Sequence, residues 1–113
     1  MKKNNIKKLL ELSKLIRKKI INISFKKKAH HIGSCLSCVE IMVVLFFGVM
    51  KFSKKSILKN DFFILSKGHA ALIYYIILSE KKFFSEKYLL KNFLTNNGSL
   101  GGHPDRNKKL GID

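Results

Sequence analysis

Cysteine is scarce in this sequence, and the little that is present fits no common framework. Cys35 and Cys38 form one C-x-x-C pair, and the chain has no other cysteine. A disulfide-stapled domain and a four-cysteine zinc site are therefore excluded. His30 and His31 lie nearby, so a Cys2His2 site stays conceivable, although the spacing matches no common zinc module. The simpler interpretation is a pair of small residues at a crowded junction between a loop and a helix.

Long apolar runs are also absent. The longest run, from Ile41 to Met50, is too short to cross a bilayer. The first twenty residues carry charges throughout, unlike the apolar core of a signal peptide. We therefore expect a cytoplasmic protein with no membrane partner. The chain has 113 residues, of which 46% are hydrophobic, and this predicts a single unit with one core over residues 1–113.

Acidic side chains are few, since seven Asp and Glu residues face 23 Lys and Arg residues and the net charge is +16. Such an excess can indicate nucleic-acid binding, because cations release counterions from a phosphate backbone. However, Arg17 and Arg106 are the sole arginines in the sequence, whereas arginine forks favour base and phosphate recognition. Lys, Asn, Ile and Phe make up nearly half of the chain, and a gene rich in A and T explains their joint excess. Nucleic acid is therefore disfavoured as the main partner.

The first half of the chain predicts two helices. From Ile6 to about Ser24, apolar side chains recur every three or four residues, which is typical of an amphipathic helix. Residues 26–34 read as a loop with paired histidines. Ser37 and Glu40 then have the spacing of a capping box, which predicts the start of a second helix. Because residues 41–49 are apolar on nearly every side, we expect this helix to be buried in a domain or an assembly.

The stretch from Asp61 to Leu78 combines a strand, a turn and a helix. The apolar run at residues 62–65 predicts a strand covered on both faces, and Ser66 and Gly68 break it. The helix should follow over residues 70–78, with His69 at its start. Helix N-termini at the carboxyl ends of parallel strands attract anions, so His69 is well placed to contact a phosphate. A histidine that only satisfies backbone groups at a helix start is the alternative.

Two further elements complete the pattern. Ser85 predicts the cap of another helix, whose inner side would carry four apolar or aromatic residues: Tyr88, Leu89, Leu90 and Phe93. Residues 95–105 are rich in turn formers, and this loop presents His103 between a glycine pair and a proline.

Three histidines share one feature: His31, His69 and His103 each lie within two residues of a glycine, in a loop or at the end of an element. Histidine exchanges protons near neutral pH, and glycine lets a ligand approach the backbone closely. The three could therefore converge on one polar substrate. Spacing alone leaves open the alternative of three unrelated loop histidines.

Four ordered motifs carry a resemblance to a known family. They are HIGSCLS at residues 31–37, DFFILSKGHAA at 61–71, GHPD at 102–105 and GID at 111–113. In this order they resemble the N-terminal part of transketolase, and most closely its split form, in which this half is a separate polypeptide. The resemblance covers the chain from about Leu9 onward, and its specificity comes from the motifs taken together.

This resemblance implies an α/β fold: an incomplete doubly wound parallel sheet of the thiamine-diphosphate-binding type with a helix-rich N-terminal part. It also implies transfer of a two-carbon ketol unit between sugar phosphates, with thiamine diphosphate supplying the carbanion chemistry. The partners implied are sugar phosphate substrates, the remaining transketolase portion or a C-terminal subunit, and a second copy that completes a dimer.

The same resemblance implies roles for individual residues. His31 would lie by the reacting centre and assist proton transfer. His69 would contact the diphosphate, with Ser66, Gly68 and Gly102 completing the cofactor-binding set. His103 would bind the donor hydroxyl and stabilise charge on it.

The sequence also departs from the family pattern. His30 stands where the family usually has glycine, and Leu94 stands where it often has a phosphate-binding arginine. The Gly-x-Leu-Gly-x-Gly loop and the Gly-Asp-Gly segment that holds Mg²⁺ are absent from the 113 residues, so no metal ligand is assigned in this chain. We therefore expect an incomplete catalyst without tight cofactor binding by itself. The alternatives are a working split enzyme, a degraded gene fragment, and a lysine-rich interaction or nucleic-acid-binding remnant.

Overall fold

The computed structural model describes residues 3–113, with side chains from residue 5 onward. Its α-helices in this part of the chain are α1 (Lys3–Lys27), α2 (Ile32–Leu36), α3 (Val39–Val44), α4 (Ala71–Glu80) and α5 (Glu86–Asn92). A π-helical turn, Leu45–Val49, continues α3, and short 3-10 helices cover Lys54–Lys59, Gly68–Ala70 and Lys108–Leu110. Residues 3–113 contain no β-strand, but isolated bridges join Phe93 to Leu100 and Asn107 to Ile112. A parallel sheet is therefore not present within the described residues.

The amphipathic helix predicted at residues 6–24 is confirmed, and α1 extends beyond it at both ends. Ile16, Ile20 and Ile23 recur at the helical spacing and are buried. Burial of each such side chain stabilises the fold by about 1.5–3 kcal/mol. Lys26 and Lys27 lie in the last turn, where positive charge complements the helix dipole.

The capping box predicted at Ser37 and Glu40 is wrong. Ser37 ends α2, and its hydroxyl donates to the carbonyl oxygen of Ser34 at 3.0 Å. Glu40 pairs instead with Arg17 on α1, with 2.8 Å between Nη2 and Oε2. The Arg17 guanidinium on α1 pairs with the Glu40 carboxylate, and this charged hydrogen bond competes with the one that Glu40 would make to the backbone at the helix cap.

Residues 41–49, which the sequence predicts to be buried in a domain or an assembly, are covered on one face only by the described residues. Met42, Val43 and Phe46 are buried against α1 and α4. In contrast, Ile41 is 63% exposed and Val49 is 66% exposed. The helices that pack against this segment in residues 3–113 cover only one side of it.

Helix α4 forms the centre of the core, as the sequence predicts for residues 70–78. Its eight consecutive residues from Ala71 to Leu78 are each at most 4% exposed. The helix is surrounded by α1, α2, α3 and α5. A helix enclosed on all sides has no polar face, and this explains the unbroken apolar sequence.

The strand predicted at residues 62–65 is not formed. The backbone is extended there, but Phe62 and Ile64 are each 78% exposed, whereas Phe63 packs on Phe46 and Tyr74 with ring centroids 4.7 and 5.1 Å apart. The side chains thus alternate as in a strand, with only one side covered. No neighbouring strand exists among residues 3–113 to form a ladder with it.

The helix cap predicted at Ser85 is confirmed, because its hydroxyl oxygen accepts a hydrogen bond from the backbone N–H of Tyr88 at 3.0 Å. Leu89 is buried on the inner side of α5, and Phe93, the residue that follows the helix, is buried as well. A tight turn then brings the chain back, since the N–H of Leu94 donates to the carbonyl oxygen of Leu100 at 3.1 Å. This turn directs the following loop toward the start of α4.

Candidate functional site

All four histidines of the sequence line one cavity of about 190 Å³. The ring centroids of His31 and His69 are 4.4 Å apart, and those of His69 and His103 are 4.8 Å apart. His30 lies at the other end of the row, 6.2 Å from His31. The structure therefore brings together the three histidines that the sequence singled out, from three separate segments of the chain.

His69 is positioned by the entry into α4. It lies in the 3-10 turn Gly68–Ala70, directly before the buried helix. A Cβ atom at Gly68 would lie 3.3 Å from Nδ1 of His103, which is tighter than most contacts of that kind. Glycine at this position therefore lets the two rings meet edge to face.

His103 is held by the loop that follows α5. The hydroxyl of Tyr75, a residue with 0% exposure in α4, donates to the carbonyl oxygen of Gly101 at 2.7 Å. This hydrogen bond connects the loop to the helix that His69 precedes. Burial, together with the nearby negative charge of Asp105, raises the pKa of Tyr75 well above its ordinary value, so the phenol stays protonated and able to donate.

His31 occupies a left-handed backbone conformation, with φ 65° and ψ 31°, immediately before α2. Such a conformation is uncommon for a residue with a side chain, although histidine adopts it more readily than most residues. Desolvation, followed by the charges of His69, His30 and His103, lowers the pKa of His31 below its ordinary value. A lowered pKa favours the neutral ring, which can accept a proton.

The cavity contains no fixed charge among the described residues. Besides the four rings, it is lined by apolar side chains and one glycine: Ala29, Leu72, Phe93, Leu94 and Gly102. No ring nitrogen of the four histidines has a hydrogen-bond partner within the described part of the protein. The imidazoles are thus available to a ligand.

The other residues assigned to the site fall into two groups. Gly102 lines the cavity, and a Cβ atom there would lie 3.6 Å from Leu94, an ordinary contact. Ser66 is exposed and does not line this cavity in the described structure, although its carbonyl oxygen accepts the N–H of Gly68 at 3.0 Å. Ser66 therefore shapes the turn through its backbone.

The C-x-x-C pair lies to one side of the histidines. Cys35 is buried and Cys38 is half-buried, and desolvation raises the pKa of both thiols. Raised values disfavour the reactive thiolate. Within residues 3–113, no cluster of three or more His, Cys, Asp or Glu side chains could hold a metal ion. The geometry thus agrees with small residues at a crowded junction.

Sequence reasoning missed three contributions to the site, because Ala29, Leu72 and Phe93 also line the cavity. Leu72 belongs to the apolar pattern of α4, and Phe93, directly after α5, belongs to the apolar pattern of that segment. Since a core residue and a cavity-lining residue have the same pattern, no sequence signal could separate them.

A larger cavity of about 310 Å³ lies between α1 and the π-helical turn, but its walls are mainly apolar and contain no histidine. No helix between residues 3 and 113 is both long and apolar enough to span a membrane.

The described residues thus form a cavity that is lined by imidazoles at the start of a buried helix. Comparison with known proteins identifies the family. The model of the family described as transketolase, thiamine diphosphate binding domain, matches residues 10–113. The chain therefore belongs to the transketolase family and corresponds to its N-terminal, thiamine-diphosphate-binding part.

Individual relatives agree with this assignment. One subunit of the apulose-4-phosphate transketolase of Phocaeicola vulgatus is 39% identical over 91 residues, which are 78% of this chain and 32% of that protein. The protein of the same name from Actinobacillus succinogenes is 35% identical over 104 residues, 89% of this chain and 37% of its own length. Human transketolase is 45% identical over 76 residues, 66% of this chain and 12% of its own length. The chain thus spans little more than a third, or less, of each of these relatives.

The described residues fit the diphosphate end of the family's cofactor. Imidazole N–H groups without protein partners are suitable donors to phosphate oxygens. The missing side chain at Gly68 leaves room where a Cβ atom would press on His103. No carboxylate lines the cavity in the described chain, so the assignment of Mg²⁺ ligands to residues outside this sequence stays a prediction.

Proposed function

We propose that this chain is the N-terminal, cofactor-binding portion of a transketolase that transfers a two-carbon ketol unit between sugar phosphates. One observation carries the proposal: in a member of this family, the imidazoles of His31, His69 and His103 line a single cavity. The chain would act within a larger assembly and be inactive alone. Its compartment would be the cytoplasm.

Each histidine has a proposed task. His69, at the start of α4, would donate a ring N–H to the diphosphate. His31 would use a ring nitrogen to take up and return a proton near the donor's hydroxyls, and its lowered pKa supports this because the neutral form is the acceptor. His103 would donate to the donor hydroxyl and stabilise negative charge there. Thiamine diphosphate, when bound, would supply the carbon nucleophile and the electron sink.

The remaining assigned residues would shape the site. Gly68 would keep the approach to His69 and His103 open, and Gly102 would do the same on the loop. Ser66 would contribute through the backbone of the turn that precedes Gly68. Mg²⁺ would bind with the diphosphate, on ligands from outside this chain.

The parallel α/β sheet belongs to the proposed assembly. The extended segment at residues 61–65 supports this, because its side chains already alternate and one side is free of described neighbours. Two of the relatives are each named as one subunit of an enzyme, which supports a separate partner polypeptide. A second copy would complete a dimer.

The first test is calorimetry of the purified chain with thiamine diphosphate and Mg²⁺. We expect no micromolar binding, because the histidines would have to balance the diphosphate charge without a divalent cation site. Micromolar binding would contradict the proposal that the chain is incomplete.

The second test restores the missing portion. The chain is co-expressed with the part of the Phocaeicola vulgatus relative that lies beyond the matched region, together with the other polypeptides of that enzyme. We expect ketol transfer from a ketose phosphate, reduced about 100-fold or more by His69→Ala. Gly33→Ala is the matched control, because a Cβ atom at Gly33 meets no other atom within 4 Å. Equal rates for wild type and His69→Ala, or no transfer at all, would count against the proposed function.

A further inference from the structure

His30 is a fourth imidazole at the site and has no role in the proposed reaction. Its ring lies at the end of the histidine row, edge-on to His31 at 6.2 Å, and it lines the same cavity. The side chain is exposed, and its nitrogens have no hydrogen-bond partner among the described residues. His30 is therefore available to the part of a ligand that extends beyond the other three rings.

The cavity has no lysine or arginine among its described lining residues, although the protein is strongly basic. The chain carries 23 Lys and Arg residues, but none of the described ones lines the cavity. Lys28 and Lys67 precede two of the histidine segments, Asp105 follows the third, and all three are exposed outside the lining. Among the described side chains, positive charge inside the cavity can thus come only from the four histidines.

Neighbouring imidazoles share one electrostatic constraint. Protonation of one ring opposes protonation of the next, because like charges separated by 4 to 6 Å repel. An anion between the rings removes this penalty and favours the protonated forms. An anion is therefore the kind of ligand that this row of rings favours.

We propose that His30 contacts an anionic group, of the phosphate monoester class, on a ligand bound against the other three rings. The proposal rests on the proposed function, which supplies a sugar phosphate as the ligand. It makes His30 a specificity-determining residue for the anionic group of the ligand.

The test uses the purified full chain and sulfate as the probe, because sulfate remains a dianion between pH 6 and 8. The four histidines give four sets of ¹⁵N-labelled imidazole signals in NMR spectra. Sulfate is titrated at constant ionic strength with chloride as the reference ion. We expect the His30 signals to shift together with those of His31 when sulfate is added, and not to shift with chloride alone. Unshifted His30 signals, or equal shifts with chloride, would overturn the proposal.

Two substitutions at one position separate charge from shape. His30→Asn should lower sulfate affinity about threefold to tenfold. His30→Lys should retain the affinity, because lysine presents a positive charge at the same position. Lys28→Asn is the matched control, since it removes a positive charge two residues away and outside the lining. An equal loss in Lys28→Asn would indicate general attraction to a basic surface and would overturn the role of His30.

The outcome is independent of cofactor loading. If sulfate shifts the signals of His31, His69 and His103 but not those of His30, the proposal for His30 fails while the proposed function stands. If His30 responds as expected but the restored assembly shows no ketol transfer, the anion contact stands and the proposed reaction fails.

Discussion

Removal of one oxygen atom from Tyr75 tests whether α4 holds the loop that carries His103. The Tyr75→Phe substitution keeps the buried ring and its packing on Phe93, where the ring centroids are 5.8 Å apart. It deletes only the hydroxyl that donates to the carbonyl oxygen of Gly101 at 2.7 Å. The change is therefore confined to one hydrogen bond.

The expected cost follows from the surroundings of the two groups. A typical internal hydrogen bond contributes roughly 0.5–1.5 kcal/mol net. Gly101 is exposed, so its carbonyl can bind water in the variant and avoids the full penalty of an unpaired buried group. We expect the free energy of unfolding to fall by about 1 kcal/mol, which lowers the melting temperature of a domain of this size by roughly 4–6 °C.

Urea unfolding and thermal melts followed by circular dichroism measure this change, and NMR reports on the contact between His69 and His103. We expect the nuclear Overhauser effects between these two rings to weaken in Tyr75→Phe. Tyr88→Phe is the matched control, because its hydroxyl pairs with Ser99 in an exposed position and should contribute less than about 0.5 kcal/mol. If both variants lose the same stability and the ring contacts do not change, the loop is not anchored by Tyr75.

Three further predictions concern other parts of the molecule. Gly98→Ala should lower the free energy of unfolding, measured by urea titration, by roughly 1–3 kcal/mol, because a Cβ atom there would collide with the carbonyl of Asn92. Gly33→Ala in α2 is the control and should be neutral or stabilising by up to about 1 kcal/mol. Similar values for both variants would refute the turn geometry at Gly98. Burial raises the pKa of Tyr74 to about 12, above its ordinary value near 10. The contribution of Tyr74 to the free energy of unfolding should therefore be complete below pH 10 and be lost between pH 10 and 12. The stability of Tyr74→Phe should fall less over that range, and parallel curves for the two proteins would contradict this. Binding to duplex DNA, followed by fluorescence anisotropy, should be weak and vanish at moderate salt. Sequence-selective binding would contradict the conclusion that nucleic acid is not the main partner.

Local patterns predicted the helices well, because each depends on residues close in sequence. The spacing of Ile16, Ile20 and Ile23 defines α1, and the apolar run at residues 71–78 defines α4. The capping box failed because Glu40 meets Arg17, 23 residues away in sequence, and a long-range ion pair leaves no local signal.

The strand at residues 62–65 was not predictable in the same way. A strand exists through hydrogen bonds with a neighbour, and the sequence of one segment does not specify whether that neighbour is present. The candidate site shows the same contrast. The glycines within two residues of His31, His69 and His103 indicated three loops, but not that these loops lie together. The loop of His103 is brought to the start of α4 by the Tyr75 to Gly101 hydrogen bond and by the turn after α5.

The exposed side of residues 61–65 has a practical consequence for handling the purified protein. Phe62 and Ile64 present two large apolar groups beside an extended backbone, and such an edge is a template for self-association. At low ionic strength, the net charge of +16 makes the molecules repel one another. Added salt shortens the range of this repulsion to about 10 Å at 0.1 M. Light scattering should therefore rise with salt, and dilute buffers should give the most monodisperse samples.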